Sequence, residues 1–70
     1  MNLHWEEQCV LRLTAQGQEL VISGNPAGLR TLAGFLNTLA NEPAGSHIHL
    51  DEWNGLEEGS RELILEQIEQ

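Results

Sequence analysis

The 70-residue chain contains no lysine and no tyrosine, a single cysteine and three aromatic side chains, Trp5, Phe35 and Trp53. Each shortage excludes something. Three arginines stand against eleven acids, a formal net charge of −8. Such a surface repels nucleic acid and anionic membrane and attracts basic ligands. With Cys9 alone, no intramolecular disulfide can staple the fold. A lone cysteine within an apolar alternation reads as a small core residue in a reducing compartment. No apolar run approaches the roughly 20 residues a membrane span needs. The opening Met-Asn-Leu-His-Trp-Glu-Glu lacks the cationic and apolar regions of a secretory signal. These absences together lead us to expect a cytoplasmic protein with neither nucleic acid nor membrane as partner.

The acid that is present is unevenly placed. Residues 1–35 carry Glu6, Glu7 and Glu19 against Arg12 and Arg30, a net of −1, whereas residues 36–70 carry eight acids against Arg61, a net of −7. A one-signed field of this kind concerns partners rather than fold. The length allows one domain, taken as residues 1–70. A chain so short buries only about 60% of the surface its unfolded form exposes, so the core is thin.

Periodicity divides the chain into five elements. Cys9–Thr14 alternates with period two, Ala15-Gln-Gly-Gln18 supplies a turn, and Glu19–Ser23 returns as the second strand of a hairpin. Asn25-Pro26 is a helix start: Asn caps the free amides and Pro occupies the first position, where an N–H would lack a partner anyway. Leu29, Leu32, Ala33, Leu36, Leu39 and Ala40 follow at helical spacing, and Asn41 and Pro43 close the helix. A third strand is expected over Ser46–Trp53, and Asn54-Gly55 marks a turn that Leu56-Glu-Glu-Gly59 lengthens. Arg61–Ile68 favours helix by propensity, but a strand there supplies the partner that the third strand otherwise lacks. The expected fold class is α+β: a small ββαββ two-layer domain with one helix packed on one face of a four-stranded, mainly antiparallel sheet.

Turning Leu11, Leu13, Leu20, Ile22, Ile48, Leu50, Leu63 and Leu65 toward the helix leaves Val10, Arg12, Val21, His47, His49, Asp51, Trp53, Ile64, Glu66 and Ile68 on the other side. No second helix remains to cover that mixture of aliphatics and charge. Scattered surface Val and Ile are normal in strands, yet an apolar patch rimmed by charge marks an interaction site. A homodimer centred on Val10, Val21, Ile64 and Ile68 is one expectation, and a different protein partner is the other.

Few residues carry chemistry. His47-x-His49-x-Asp51 places three candidate ligands on one side of a strand at steps of about 7 Å. Two imidazoles can share zinc at that step, with Asp51 or His4 completing the set, but half-exposed strand histidines more often serve as hydrogen-bonding groups. Neither a metal nor any other cofactor is expected. Glu57-Glu58 with Asp51 and Glu52 resembles a carboxylate group for acid–base work, but no nucleophile accompanies it. Gly24-Asn-Pro-Ala-Gly28 precedes a helix without the Lys-Ser/Thr of a P-loop and reads as a cap. The chain is therefore not expected to be an enzyme. Trp53, beside the acids, suits an interface anchor and a core position equally well.

Three stretches carry a family likeness: Ile22-Ser-Gly-Asn-Pro-Ala-Gly-Leu-Arg-Thr-Leu-Ala33, Gly45-Ser-His-Ile-His-Leu-Asp51, and Leu56-Glu-Glu-Gly-Ser60 ahead of a final apolar strand. Over roughly residues 18–69 the chain resembles the immunity protein thirty-two family of bacterial polymorphic toxin systems. The resemblance implies a cytoplasmic protein that binds and neutralises a cognate toxin, and it supplies no catalytic residues. It agrees with the charge: an inhibitor of a basic toxin, such as a nuclease, gains on-rate from an acidic surface. The expected partner-binding residues are Asp51, Glu52, Trp53, Glu57 and Glu58, with His47 and His49 beside them. A small structural or regulatory homodimer and a metal-dependent hydrolase using His47, His49 and Asp51 are the alternatives.

Overall fold

A computed structural model describes residues 1–68. Residues 69 and 70, with Glu69 among the acids counted above and the last two positions of the expected domain, lie outside the described residues. The elements follow the expected order: β1 (Leu11–Gln16), β2 (Glu19–Gly24), α1 (Pro26–Ala40), β3 (His47–Leu50) and β4 (Leu63–Glu66). Both ends of the chain's third and fourth strands are shorter than the periodicity suggests.

β1 and β2 pair antiparallel, with Leu13 opposite Ile22 and Gln16 opposite Glu19. Gly17, at φ +63°, takes the first central position of the two-residue connection, as a type II′ turn requires. Asn25 then starts α1 and also ties it to β1. Its Oδ1 accepts from the Gly28 amide at 2.7 Å and from the Val10 amide at 3.0 Å, while its own backbone N–H donates to the Val10 carbonyl at 3.2 Å. Helix and strand approach so closely here that a Cβ on Gly28 would lie 2.0 Å from the Val10 oxygen. Gly28 is a packing requirement.

The helix buries a different stripe from the one its leucines suggest. Gly28, Thr31, Leu32, Phe35 and Leu39 face the core, while Leu29, Ala33, Leu36 and Ala40 remain exposed. Phe35 is 1% exposed and meets Trp5 edge-on, with ring centroids 4.8 Å apart. Thr31, the buried polar residue of this stripe, accepts from the Glu6 amide at 3.0 Å through Oγ1. Leu11, Leu13, Ile48, Leu50 and Leu56 complete the core against Leu32, Phe35 and Leu39. At about 25 cal/mol per Å², a buried Leu or Phe stabilises by roughly 1.5–3 kcal/mol, so these few side chains provide much of the driving force.

The expected four-stranded sheet is not formed. β1–β2 and β3–β4 are separate two-stranded antiparallel sheets. The reason lies between Asp51 and Arg61. β3 stops at Leu50 because Asp51 enters a tight turn, with the Asn54 and Leu56 amides both donating to the Asp51 carbonyl at 3.0 Å. The chain then runs along the open edge of β1: Glu57 donates to the Leu11 carbonyl and Arg61 to the Leu13 carbonyl, each at 2.8 Å, and the Leu13 amide donates to Ser60 Oγ at 3.2 Å. Four residues of this segment match two of β1. Gly59 at φ +88° and the Ser60 amide bonded to the Glu57 carbonyl make the bend that takes up the excess. The segment joins the two sheets without extending either ladder.

This geometry corrects the inward set as well. Leu11, Leu13, Ile48 and Leu50 are buried, and Leu63 and Leu65 are half-buried against the core, but Leu20 is 71% exposed and Ile22 45%. The buried stripe of α1 packs against Leu11, Leu13, Ile48 and Leu50, and the Leu20 and Ile22 side chains lie outside that core. On the far face Val10 and Val21 are half-buried rather than displayed, whereas Ile64 and Ile68 are exposed.

Candidate partner-binding surface

The acidic segment is built on local hydrogen bonds. Asp51 follows β3 directly, and its Oδ1 accepts from the Trp53 amide at 2.9 Å, an Asx turn. The Asn54 amide donates to the Asp51 carbonyl at 3.0 Å, and Asn54 Nδ2 reaches back to the His49 carbonyl at 2.7 Å. Gly55, at φ +98°, allows the chain to turn under Trp5: a Cβ there would meet Trp5 Nε1 at 3.0 Å. Leu56 then enters the core and anchors the loop from below. The Glu52 carboxylate accepts from the Gly59 amide, which ties the first turn to the second. Such bonds fix the backbone that carries the acids.

Trp53 stands at the tip of this arrangement, 94% exposed. Trp5, not Trp53, is the indole that packs edge-on against the buried Phe35, and it is itself 37% exposed. Glu52, Trp53 and Glu58 line one open depression, and Glu57, next to Glu58 in the chain, is exposed. The structure thus brings Glu52, Trp53 and Glu58 together, while the Asp51 carboxylate lies with His49 and Glu62. His47 and His49 are exposed on β3, on the side of the sheet away from the core, just before Asp51 in the chain.

The residue that spacing alone could not supply is Glu62. β3–β4 pairing sets Leu50 opposite Leu63 and His49 opposite Ile64, so the residue before β4 arrives beside Asp51. His49 Nε2 lies 3.9 Å from Glu62 Oε1, and ligand atoms of His49, Asp51 and Glu62 fall within 4.8 Å of one another. These are the described residues that could hold a divalent cation; the set has Glu62 where the sequence spacing offered His47. Exposure leaves all the groups in water's reach, and exposed carboxylates gather this way without a metal.

A second open depression is lined by Asn2, His4, Glu6, Arg30, Thr31, Gly34 and Thr38. Arg30 clasps Glu6 there through two donors, Nε to Oε2 at 2.8 Å and Nη2 to Oε1 at 3.0 Å. The hydrogen bond to Arg30 holds the Glu6 carboxyl below its ordinary value, and the same bond raises Arg30. This pair locks the N-terminal segment onto α1, and among the described residues no arginine forms an ion pair with Asp51, Glu52, Glu57 or Glu58.

Comparison with protein families matches residues 19–68 to Immunity protein 32. The chain belongs to that family. The match spans β2 through β4, so the helix, the acidic loop and Trp53 all fall inside it. Membership makes the chain an immunity protein by family and implies a toxin as its partner. Neither curated proteins nor solved structures yield a match. Among the described residues no helix is long and apolar enough to cross a membrane.

Proposed function

We propose that this immunity protein neutralises its toxin by non-catalytic binding, and that Trp53 with Asp51, Glu52, Glu57 and Glu58 is the docking surface. His47 and His49 form the border of the contact. The observation that carries the reading is the posture of Trp53: a large indole held almost wholly in solvent, on a turn braced by the Asp51 carboxylate, in a depression it shares with Glu52 and Glu58. Exposing an indole this way costs solvation free energy in the free protein and returns it when a partner covers the ring. Because the turn is already ordered, little loop entropy is lost on binding.

The partner that suits such a surface is a toxin domain with a basic rim around an apolar recess. A nuclease fits that description, because its active site is cationic where it meets phosphates and carboxylates can stand in their place. The cytoplasm, where a nuclease would do its harm, is the compartment in which protection has to act.

The test is binding kinetics against the toxin domain encoded beside this gene. Trp53→Ala should leave association nearly unchanged and raise the off-rate by about 30-fold, the equivalent of an anchor worth roughly 2 kcal/mol. An unchanged off-rate would place the contact elsewhere.

A further inference from the structure

A second surface has a different character from the acidic loop, and it faces away from it in chemistry as well as in sequence. β2 is an edge strand. Its partner β1 occupies one side, and among the described residues no backbone hydrogen bond reaches the other. The two-residue turn makes Gln16–Glu19 the hydrogen-bonded pair that closes the hairpin, so pairs alternate from there. Glu19, Val21 and Ser23 direct their backbone groups to β1, and Leu20 and Ile22 direct theirs to the open edge. β2 has no proline, no lysine and no bulge against β1, and its one charge, Glu19, stands at its first position.

The side chains beside this edge are apolar. Leu20 and Ile22 share the helix side of β2, both exposed. Leu29, Ala33 and Leu36 form the exposed flank of α1, and Leu29 borders β2, since its Cδ2 lies 3.2 Å from where a Gly24 Cβ would be. The helix carries no acid, and Arg30 is its sole charge. On a chain of net charge −8, this is the flank where a like-charged molecule can approach with little repulsion.

We propose that two copies of the chain associate here, pairing β2 antiparallel to β2 of the second copy about a two-fold axis at Val21. In that register Leu20 faces Ile22 of the other copy and Ile22 faces its Leu20. The open N–H and C=O groups of both are satisfied in exchange, as isologous symmetry requires. Glu19 meets Ser23 of the second copy, so no like charges are opposed. The four aliphatic side chains gather on the helix side, between the exposed flanks of the two helices. Four strands become continuous across the axis, and both 51–58 loops stay free. The dimer surface is thus β2 and α1 rather than the sheet face of Val10, Val21, Ile64 and Ile68. It does not depend on which toxin is bound, or on any toxin at all.

The experiment is sedimentation of the full chain over a concentration series, together with amide hydrogen exchange. Wild type should form a species of twice the 7.8 kDa monomer mass. The Leu20 and Ile22 amides should gain protection as it forms. Leu20→Lys, at a position already exposed, should shift the monomer–dimer midpoint upward by roughly tenfold or more, as an edge lysine does, with the helical signal retained. Ile64→Lys should leave the midpoint where it was. Monomer at every concentration overturns the proposal, and so does a dimer in which the Leu20 and Ile22 amides exchange freely or which Ile64→Lys dissociates and Leu20→Lys does not. Because the exchange readout uses wild-type protein, it decides the matter even if a variant fails to fold.

Discussion

Replacing Gly28 with alanine is the smallest change the fold should feel strongly. The added methyl would sit 2.0 Å from the Val10 carbonyl oxygen and 2.8 Å from its carbon, both backbone atoms that cannot rotate aside. An ordinary carbon–oxygen approach is about 3.3 Å, so helix and strand must separate by roughly 1 Å. That separation strains the contacts made by Asn25 to the Val10 and Gly28 amides. Overpacking of this kind costs about 1–3 kcal/mol, and weakening the cap costs about 1 kcal/mol more. Better helix propensity of alanine over glycine offsets about 1 kcal/mol. The net is roughly 2 kcal/mol in a domain whose whole stability is about 4–10 kcal/mol, or a fall of about 8–16 °C in Tm. Gly34→Ala is the internal control: it lies on the same helix with nothing within 4 Å of its Cβ, so it should gain about 1 kcal/mol. Thermal melts by circular dichroism read both. A Gly28→Ala protein as stable as wild type would refute the claimed closeness of α1 and β1.

Two further predictions concern the same flank. Asn25→Ala removes an oxygen that serves two amides, and chemical denaturation should register a loss of about 1–2 kcal/mol. Glu6, held below its ordinary value of 4.5 chiefly by its hydrogen bond to Arg30, contributes stability that is present above that value and lost as pH falls through the lowered one. Wild type should therefore exceed Glu6→Gln at neutral pH and converge with it in acid. Because the pair is exposed, added salt should narrow the difference.

The pattern of residues announced the order of elements, the Asn25-Pro26 start and the family, because each rests on local chemistry written in a few adjacent positions. The phase of α1 was not legible. Leu29, Ala33, Leu36 and Ala40 form an apolar stripe of their own at helical spacing, and only packing against Trp5 and β1 reveals that Phe35 leads the buried one. The division of the sheet depends on four residues of the 57–61 segment meeting two of β1, a mismatch that no period expresses. Leu56 was hidden for a related reason: flanked by Gly55 and acids it reads as turn, yet it is core. At the docking surface the residue types were legible as a run of acid around an indole. The exposure of Trp53 and the arrival of Glu62 beside His49 required the Asx turn and the β3–β4 register.

The most direct measurement of the role assigned to the acidic loop is the association rate between toxin and Glu57→Lys with Glu58→Lys, taken at several salt concentrations. Exposed rim charges act through steering, which sets the on-rate far more than the residence time. Both glutamates are exposed, and reversing them replaces attraction toward a basic toxin with repulsion. The double variant should associate more slowly than wild type at low salt, with little change in off-rate. The two on-rates should converge as salt brings the screening length to about 8 Å and below. Equal on-rates at low salt, or a gap that salt leaves untouched, would contradict the assignment of residues 51–58 as the surface that meets the toxin.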